Sequence, residues 1–282
     1  MTGTVLAAVL VGALIHASWN ALIKAQADKF AAATLVAIGA GVISLPIIAW
    51  LPAPPPAAWP YIAASSIIHV GYFALVGLAY RTADLGVAYP LTRGTAPPLT
   101  ALFAFLIVGE ALGLNQWLAI VVIAAGILTL SGDAILRGGL TGATALAAFA
   151  NAGVIVVYTL VDGLGARAAG SGLIYVTWMN VGTAVLLAVL LLAMRGRRFV
   201  TEARTNWMFG LGAGALALTS YAIALWAMTL APIGLVAALR ETSVLFAAIL
   251  GTIFFGEPFS ARRWLALLLI VAGIIALRLN GS

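Results

Sequence analysis

The chain of 282 residues is 64% hydrophobic and only 8% charged, with a formal net charge of +6. A soluble domain carries about 25% charged residues, so this composition cannot cover a water-facing surface and the expected solvent is lipid. The absence of cysteine excludes disulfides, thiolate catalysis and cysteine-ligated metals. The basic residues sit between apolar stretches, as a membrane surface requires, so the positive charge does not imply nucleic acid.

A helix needs about 20 apolar residues to cross a bilayer. Ten stretches qualify, taken in order: about 4–24, 31–51, 59–80, 85–108, 114–131, 141–162, 172–194, 207–230, 233–255 and 262–279. The first has no basic leader and no convincing cleavage site, and is expected to be retained as a helix. The run Pro52-Ala53-Pro54-Pro55-Pro56 separates the second and third stretches, and the polar connector Arg195 to Asn206 separates the seventh and eighth. Pro90, Pro97 and Pro98 remove backbone donors within the fourth and are expected to kink it. The remaining connectors are short, so neighbouring helices should run antiparallel. The expected fold is an all-α integral membrane protein of ten transmembrane helices.

Half of this pattern occurs twice. Leu78–Leu130 laid on Leu225–Leu277 without a gap gives fifteen identities in 53 pairs. Matches among Ala, Leu and Ile carry little weight. Arg93/Arg240, Thr95/Thr242, Gly109/Gly256, Glu110/Glu257 and Trp117/Trp264 are harder to obtain by chance. The chain therefore reads as two five-helix repeats, residues 1–138 and 139–282. Five crossings bring the chain out on the opposite side, so the second repeat must be inserted upside down. Such inverted-topology repeats favour a transporter with its site near the midplane.

Connector charges give an orientation. Ten Lys/Arg follow odd-numbered helices: Lys24, Lys29, Arg81, Arg137, Arg195, Arg197, Arg198, Arg204, Arg262 and Arg263. Two, Arg167 and Arg278, lie at the termini or after even-numbered helices. The positive-inside rule puts the odd connectors in the cytoplasm and both termini outside.

Ten helices in two halves, each closing with Gly-Glu, a short loop, Trp and a Gly-bearing last helix, resemble the drug/metabolite transporter superfamily. EamA-type exporters are the closest group. The opening His16-Ala17-Ser18-Trp19-Asn20-Ala21-Leu22-Ile23-Lys24 looks like that group's first-helix signature. Within it, aromatic amino-acid exporters of the YddG type are the subgroup of reference. The resemblance implies export of small metabolites, often amino acids, by alternating access across a bacterial inner membrane. Two features depart from the superfamily. Its small quaternary-cation exporters use a Glu in the first helix, where this chain has only Lys24. Many ten-helix members are drawn with both termini in the cytoplasm, opposite to the charge count here.

Ionisable groups inside spans are costly unless they face a partner or a polar cavity. Arg93 and Arg240 occupy equivalent positions, expected on opposite sides of the midplane, and a guanidinium binds a carboxylate in a fork. Glu241, opposite Gly94 in the repeat, is a candidate for carrying a coupling proton or for balancing Arg240. His16, Asn20 and Lys24 recur every four residues on one helix face, bordered by Trp19. Asn151, Tyr158 and Asp162 form a similar stripe in the sixth helix. Lys24 and Asp162 fall near helix ends, where they can also snorkel. Histidine is the side-chain type whose ordinary titration range lies near neutrality, which makes His16 and His69, the only two in the chain, rival proton carriers. Tyr72, Tyr89, Tyr158, Trp178 and Tyr221 would give the cavity an aromatic wall. Trp59, Trp117, Trp207 and Trp264 start helices and read as interface anchors. Glu110 and Glu257 read as structural caps on the helices that follow them.

No HExxH, Gly-x-Ser-x-Gly or His/carboxylate metal cluster supports an intramembrane enzyme. A passive channel or lipid scramblase is the other alternative, distinguished by flux that does not saturate. No cofactor and no metal are expected. The ligands are a small-molecule substrate and a candidate proton, and the two fused halves need no second subunit, so a monomer is expected.

Overall fold

A computed structural model describes residues 1–82, 85–130, 132–136, 138, 140–256 and 260–279. The described residues form helices and no strands. The helices are α1 (Gly3–Lys24), α2 (Lys29–Trp50), α3 (Trp59–Thr82), α4 (Leu85–Phe103), α5 (Leu114–Thr129), α6 (Gly132–Leu136) and α7 (Gly142–Ala168). They continue as α8 (Gly172–Arg195), α9 (Arg197–Thr205), α10 (Trp207–Leu230), α11 (Ile233–Arg240), α12 (Ser243–Phe255) and α13 (Ala261–Leu279). Seven helical stretches among the described residues are long and apolar enough to cross a membrane: α1, α2, α4 with its terminal turn, α7, α8, α10, and α11 with α12. α3, α5 and α13 fill the other three expected stretches, α5 with only 16 residues.

Side-chain caps set the helix starts. Thr2, Asp28, Thr141 and Ser171 accept from the backbone N–H three residues on, at α1, α2, α7 and α8, satisfying donors the helix cannot. Gly109 and Gly256 end α4's terminal turn and α12 in the left-handed region, φ 76° and 65°, a conformation only glycine adopts without strain.

Three expectations change. The helix expected to end at residue 162 runs on to Ala168, because the Gly-bearing Asp162–Gly165 segment stays helical against its neighbours. Pro90, Pro97 and Pro98 lie inside α4, which closes in a π turn, Ala104–Val108. The stretch 233–255 is not one helix: it breaks at Glu241–Thr242 between α11 and α12. The polar connector after α8 forms α9, held by Arg198 Nε donating to Glu202 at 2.9 Å one turn on, with Phe199 buried beside Leu35 and Leu191.

α2 packs on α8 and α10, α3 on α7 and α8, α1 on α10, α11 and α12, α4 on α7 and α11, and α5 on α13. Small residues allow this in a lipid solvent, where close contact replaces the hydrophobic effect. Gly39 of α2 lies against the Gly210 backbone of α10, with no room for a side chain. At one end of the bundle, Asp28 after α1 reaches Arg195 at the end of α8, 4.0 Å away. At the other end Met1 shares a crevice with Gly113, Leu235 and Leu277.

Candidate functional site

Most polar side chains singled out in the sequence converge on one cavity of about 140 Å³. Its wall comes from α1, α2, α3, α4, α7, α8, α10 and α11, leaving α5 and α13 outside. His16, Trp19 and Asn20 come from the second half of α1, and Ala33 to Ala40 from the first half of α2. The cavity therefore lies toward the α1–α2 connection. Tyr89, 40% exposed, stands in its wall near the start of α4.

Arg93 and Arg240, expected on opposite sides of the midplane, line this same cavity. Their surroundings differ. One Arg93 nitrogen donates to Glu241 Oε1 at 2.8 Å, and another to His16 Nε2 at 2.6 Å. Glu241 thus balances Arg93 from the other half of the chain, and not its neighbour Arg240. Adjacent helical residues point about 100° apart, and the break after Arg240 turns Glu241 toward α4. Arg240 stacks over the Tyr221 ring at 4.7 Å. Among the described residues no carboxylate pairs with it, and its buried Nε lacks a hydrogen-bond partner.

Asp162 is fully buried, in the body of α7 and not at a snorkelling end. It accepts hydrogen bonds from Tyr175 on α8, at 2.8 Å, and from Tyr221 on α10. His69 Nε2 stands 4.0 Å from its Oδ2. Tyr158 packs between His69 and Tyr72, ring centroids 4.8 and 5.8 Å away. His69, Tyr72, Tyr158 and Tyr221 all face the cavity, which gives it a tyrosine-rich wall.

Two expected residues are elsewhere. Trp178 packs edge-on against Trp59, centroids 5.0 Å apart, outside the cavity wall. Two positions along α8 is about 200° of rotation, and there Asn180 enters the wall instead, with Thr183 a turn on. An Asn inside an apolar stretch was a signal the sequence offered. Lys24 is exposed at the end of α1 and does not line the cavity.

The far end of the bundle is tied by Glu110, which does not cap α5. Its carboxylate accepts from Arg167 at 2.5 Å and from the Ile233 N–H, at the start of α11, at 2.7 Å. Arg167 also donates to the carbonyls of Met228 and Ala231, at 2.8 and 3.1 Å, so one ion pair closes the α10–α11 corner. Glu257 and Arg137 lie outside the described residues.

The EamA-like transporter family matches residues 3–132 and again residues 142–279. The chain belongs to the EamA-like transporter family. It is accordingly a multi-pass membrane protein and a transporter of small molecules, and the family points away from catalysis. No curated protein matches the chain. A solved structure entitled "Crystal structure of protein" matches at a TM-score of 0.73 and 20% identity, covering 99% of both chains, a likeness of fold. Among the described residues, no three His or carboxylate side chains cluster as metal ligands.

Proposed function

We propose that this EamA-like transporter exports small carboxylate-bearing metabolites, amino acids with apolar or aromatic side chains foremost, across the bacterial inner membrane by alternating access. The carrying observation is Arg240: a buried cation in the cavity wall with no carboxylate at ion-pair distance among the described residues, its neighbour Glu241 being engaged by Arg93. A buried unpaired charge is costly, and a substrate carboxylate is the group that completes it. The tyrosines beside it suit an apolar or aromatic side chain. The volume of about 140 Å³ is well below the roughly 300–1,000 Å³ of drug-sized pockets, which favours a metabolite over a lipid.

Ten spans in two inverted repeats, 1–138 and 139–282, supply the alternating machinery in this reading. Several observations support it. A Cβ on Gly126 would lie 3.1 Å from the Ala266 carbonyl, and a Cβ on Gly273, its repeat partner, 3.1 Å from that of Ala119. Ala119 and Ala266 are themselves repeat partners, so the α5–α13 contact has the reciprocal form of a two-fold interface. Exchanging α1 with α7, α2 with α8, α3 with α10 and α4 with α11–α12 turns the α1–α10 contact into α7–α3, and α2–α10 into α8–α3, both present. The basic connectors then define a cytoplasmic face on which the cavity opens, with the Glu110–Arg167 pair closing the opposite side.

Counterflow into proteoliposomes tests this. Labelled L-phenylalanine should exchange saturably, and its carboxamide should compete poorly. Equal competition by the amide, or flux that never saturates, would reject the reading.

A further inference from the structure

We propose that Asn180 of α8 selects α-amino acids over other carboxylates: its amide oxygen accepts from the substrate's ammonium group while the carboxylate goes to Arg240. The proposal rests on the reading of Arg240 as the carboxylate site.

The cavity wall holds cations and no anion among its described residues. Arg93 and Arg240 line it, and no Asp or Glu does. Glu241 is in the ion pair with Arg93. Asp162 is fully buried and accepts from Tyr175 and Tyr221. An ammonium group that enters leaves its water behind, which is costly unless another acceptor takes over. That acceptor must here be a neutral one. An amide carbonyl is such a group, and the Asn180 amide faces the cavity with no hydrogen-bond partner among the described residues.

Two routes place Asn180 at the depth of Arg240. The short helix α9 joins Arg195, the end of α8, to Trp207, the start of α10. Counted inward at about 1.5 Å per residue, Asn180 lies about 22 Å from Arg195, and Tyr221 lies about 21 Å from Trp207. α8 and α10 pack together, and the Tyr221 ring lies under Arg240, 4.7 Å away. The second route runs through α3. Ser66 donates to the carbonyl of Met179, the residue before Asn180, at 3.2 Å. One turn on from Ser66, the His69 ring stands 6.2 Å from that of Tyr221. The ammonium of an α-amino acid is attached one carbon from its carboxylate, so its acceptor has to stand at this level.

The other acceptors of the wall are less suited. Asn20 donates its Nδ2 to the His16 carbonyl at 2.7 Å, but it lies one turn from the end of α1, near the α1–α2 connection. His69 turns Nε2 toward Asp162, 4.0 Å away. Tyr72 and Tyr158 offer hydroxyls whose lone pair is drawn into the ring, which makes them weaker acceptors than an amide oxygen.

Calorimetric titration of the purified protein tests the proposal, at about pH 6, below the ordinary α-amino range. Four ligands are used: L-phenylalanine, 3-phenylpropanoate, L-phenylalaninamide and 3-phenylpropanamide. The two acids differ from each other only in the amine, and so do the two amides. The wild type should bind each amine about tenfold or more tighter than its amine-free counterpart, as a charged hydrogen bond allows. In folded Asn180→Leu and Asn180→Ala that preference should disappear, with the amine-free ligands held as in the wild type. No amine preference in the wild type, a preference kept in either variant, or an equal loss of all four ligands overturns the proposal. Acids that bind no tighter than their amides mark failure of the Arg240 reading instead, and the amide pair still decides the role of Asn180. Binding of none of the four to the wild type overturns both.

Discussion

Arg93 and Glu241 stand 148 positions apart in the chain and 2.8 Å apart in space. The pair joins α4 to the break between α11 and α12 and is almost fully buried. It leaves two repeat-equivalent arginines chemically unequal: one in an ion pair, the other with no carboxylate at ion-pair distance among the described residues.

Removing one partner of a buried pair strands the other. Glu241→Gln or Arg93→Gln should each cost about 3–5 kcal/mol, and the double variant should cost less than the sum of the two. Thermal unfolding in detergent, read as a double-mutant cycle, checks this; additive losses would mean that the two side chains do not interact.

The Glu110–Arg167 pair should govern the closed end. The chain has no cysteine, so Ala231→Cys introduces a single thiol at a buried position. Adding Glu110→Gln should speed labelling of that thiol by an impermeant reagent on whole cells. Unchanged labelling would show that other contacts hold the end shut.

The reciprocal α5–α13 packing makes a symmetric prediction. Gly126→Leu and Gly273→Leu each force a side chain into a backbone crossing, and overpacking typically costs about 1–3 kcal/mol. The two variants should lower the unfolding temperature by similar amounts. A large loss from one and none from the other would contradict a two-fold related contact.

Hydropathy located the helices, because lipid demands long apolar stretches whatever they pack against. The duplication singled out Arg93 and Arg240 for the same reason: a charge inside a span needs a purpose. Partners were harder to read. Glu241 adjoins Arg240 in sequence, and only the break at Glu241–Thr242 turns it to Arg93. Asp162 read as a helix end, yet the helix runs on and Gly163 and Gly165 give close contact with Ile233 and Tyr175. Arg167 read as a connector charge, since nothing local marks the carbonyls of Met228 and Ala231 as its targets. Trp178 and Asn180 differ by a rotation that composition alone cannot orient.

If Arg240 binds the substrate carboxylate, its loss must weaken the acid and spare the amide. The most direct measurement is the equilibrium affinity for L-phenylalanine and for its carboxamide, in the wild type, Arg240→Gln and Arg240→Lys, with folding checked in parallel. A charged hydrogen bond contributes about 1.5–3 kcal/mol. Arg240→Gln should therefore weaken the amino acid roughly ten- to a hundredfold, Arg240→Lys less, and the amide hardly at all. Wild-type affinity for the amino acid in a folded Arg240→Gln protein would show that Arg240 does not hold the carboxylate.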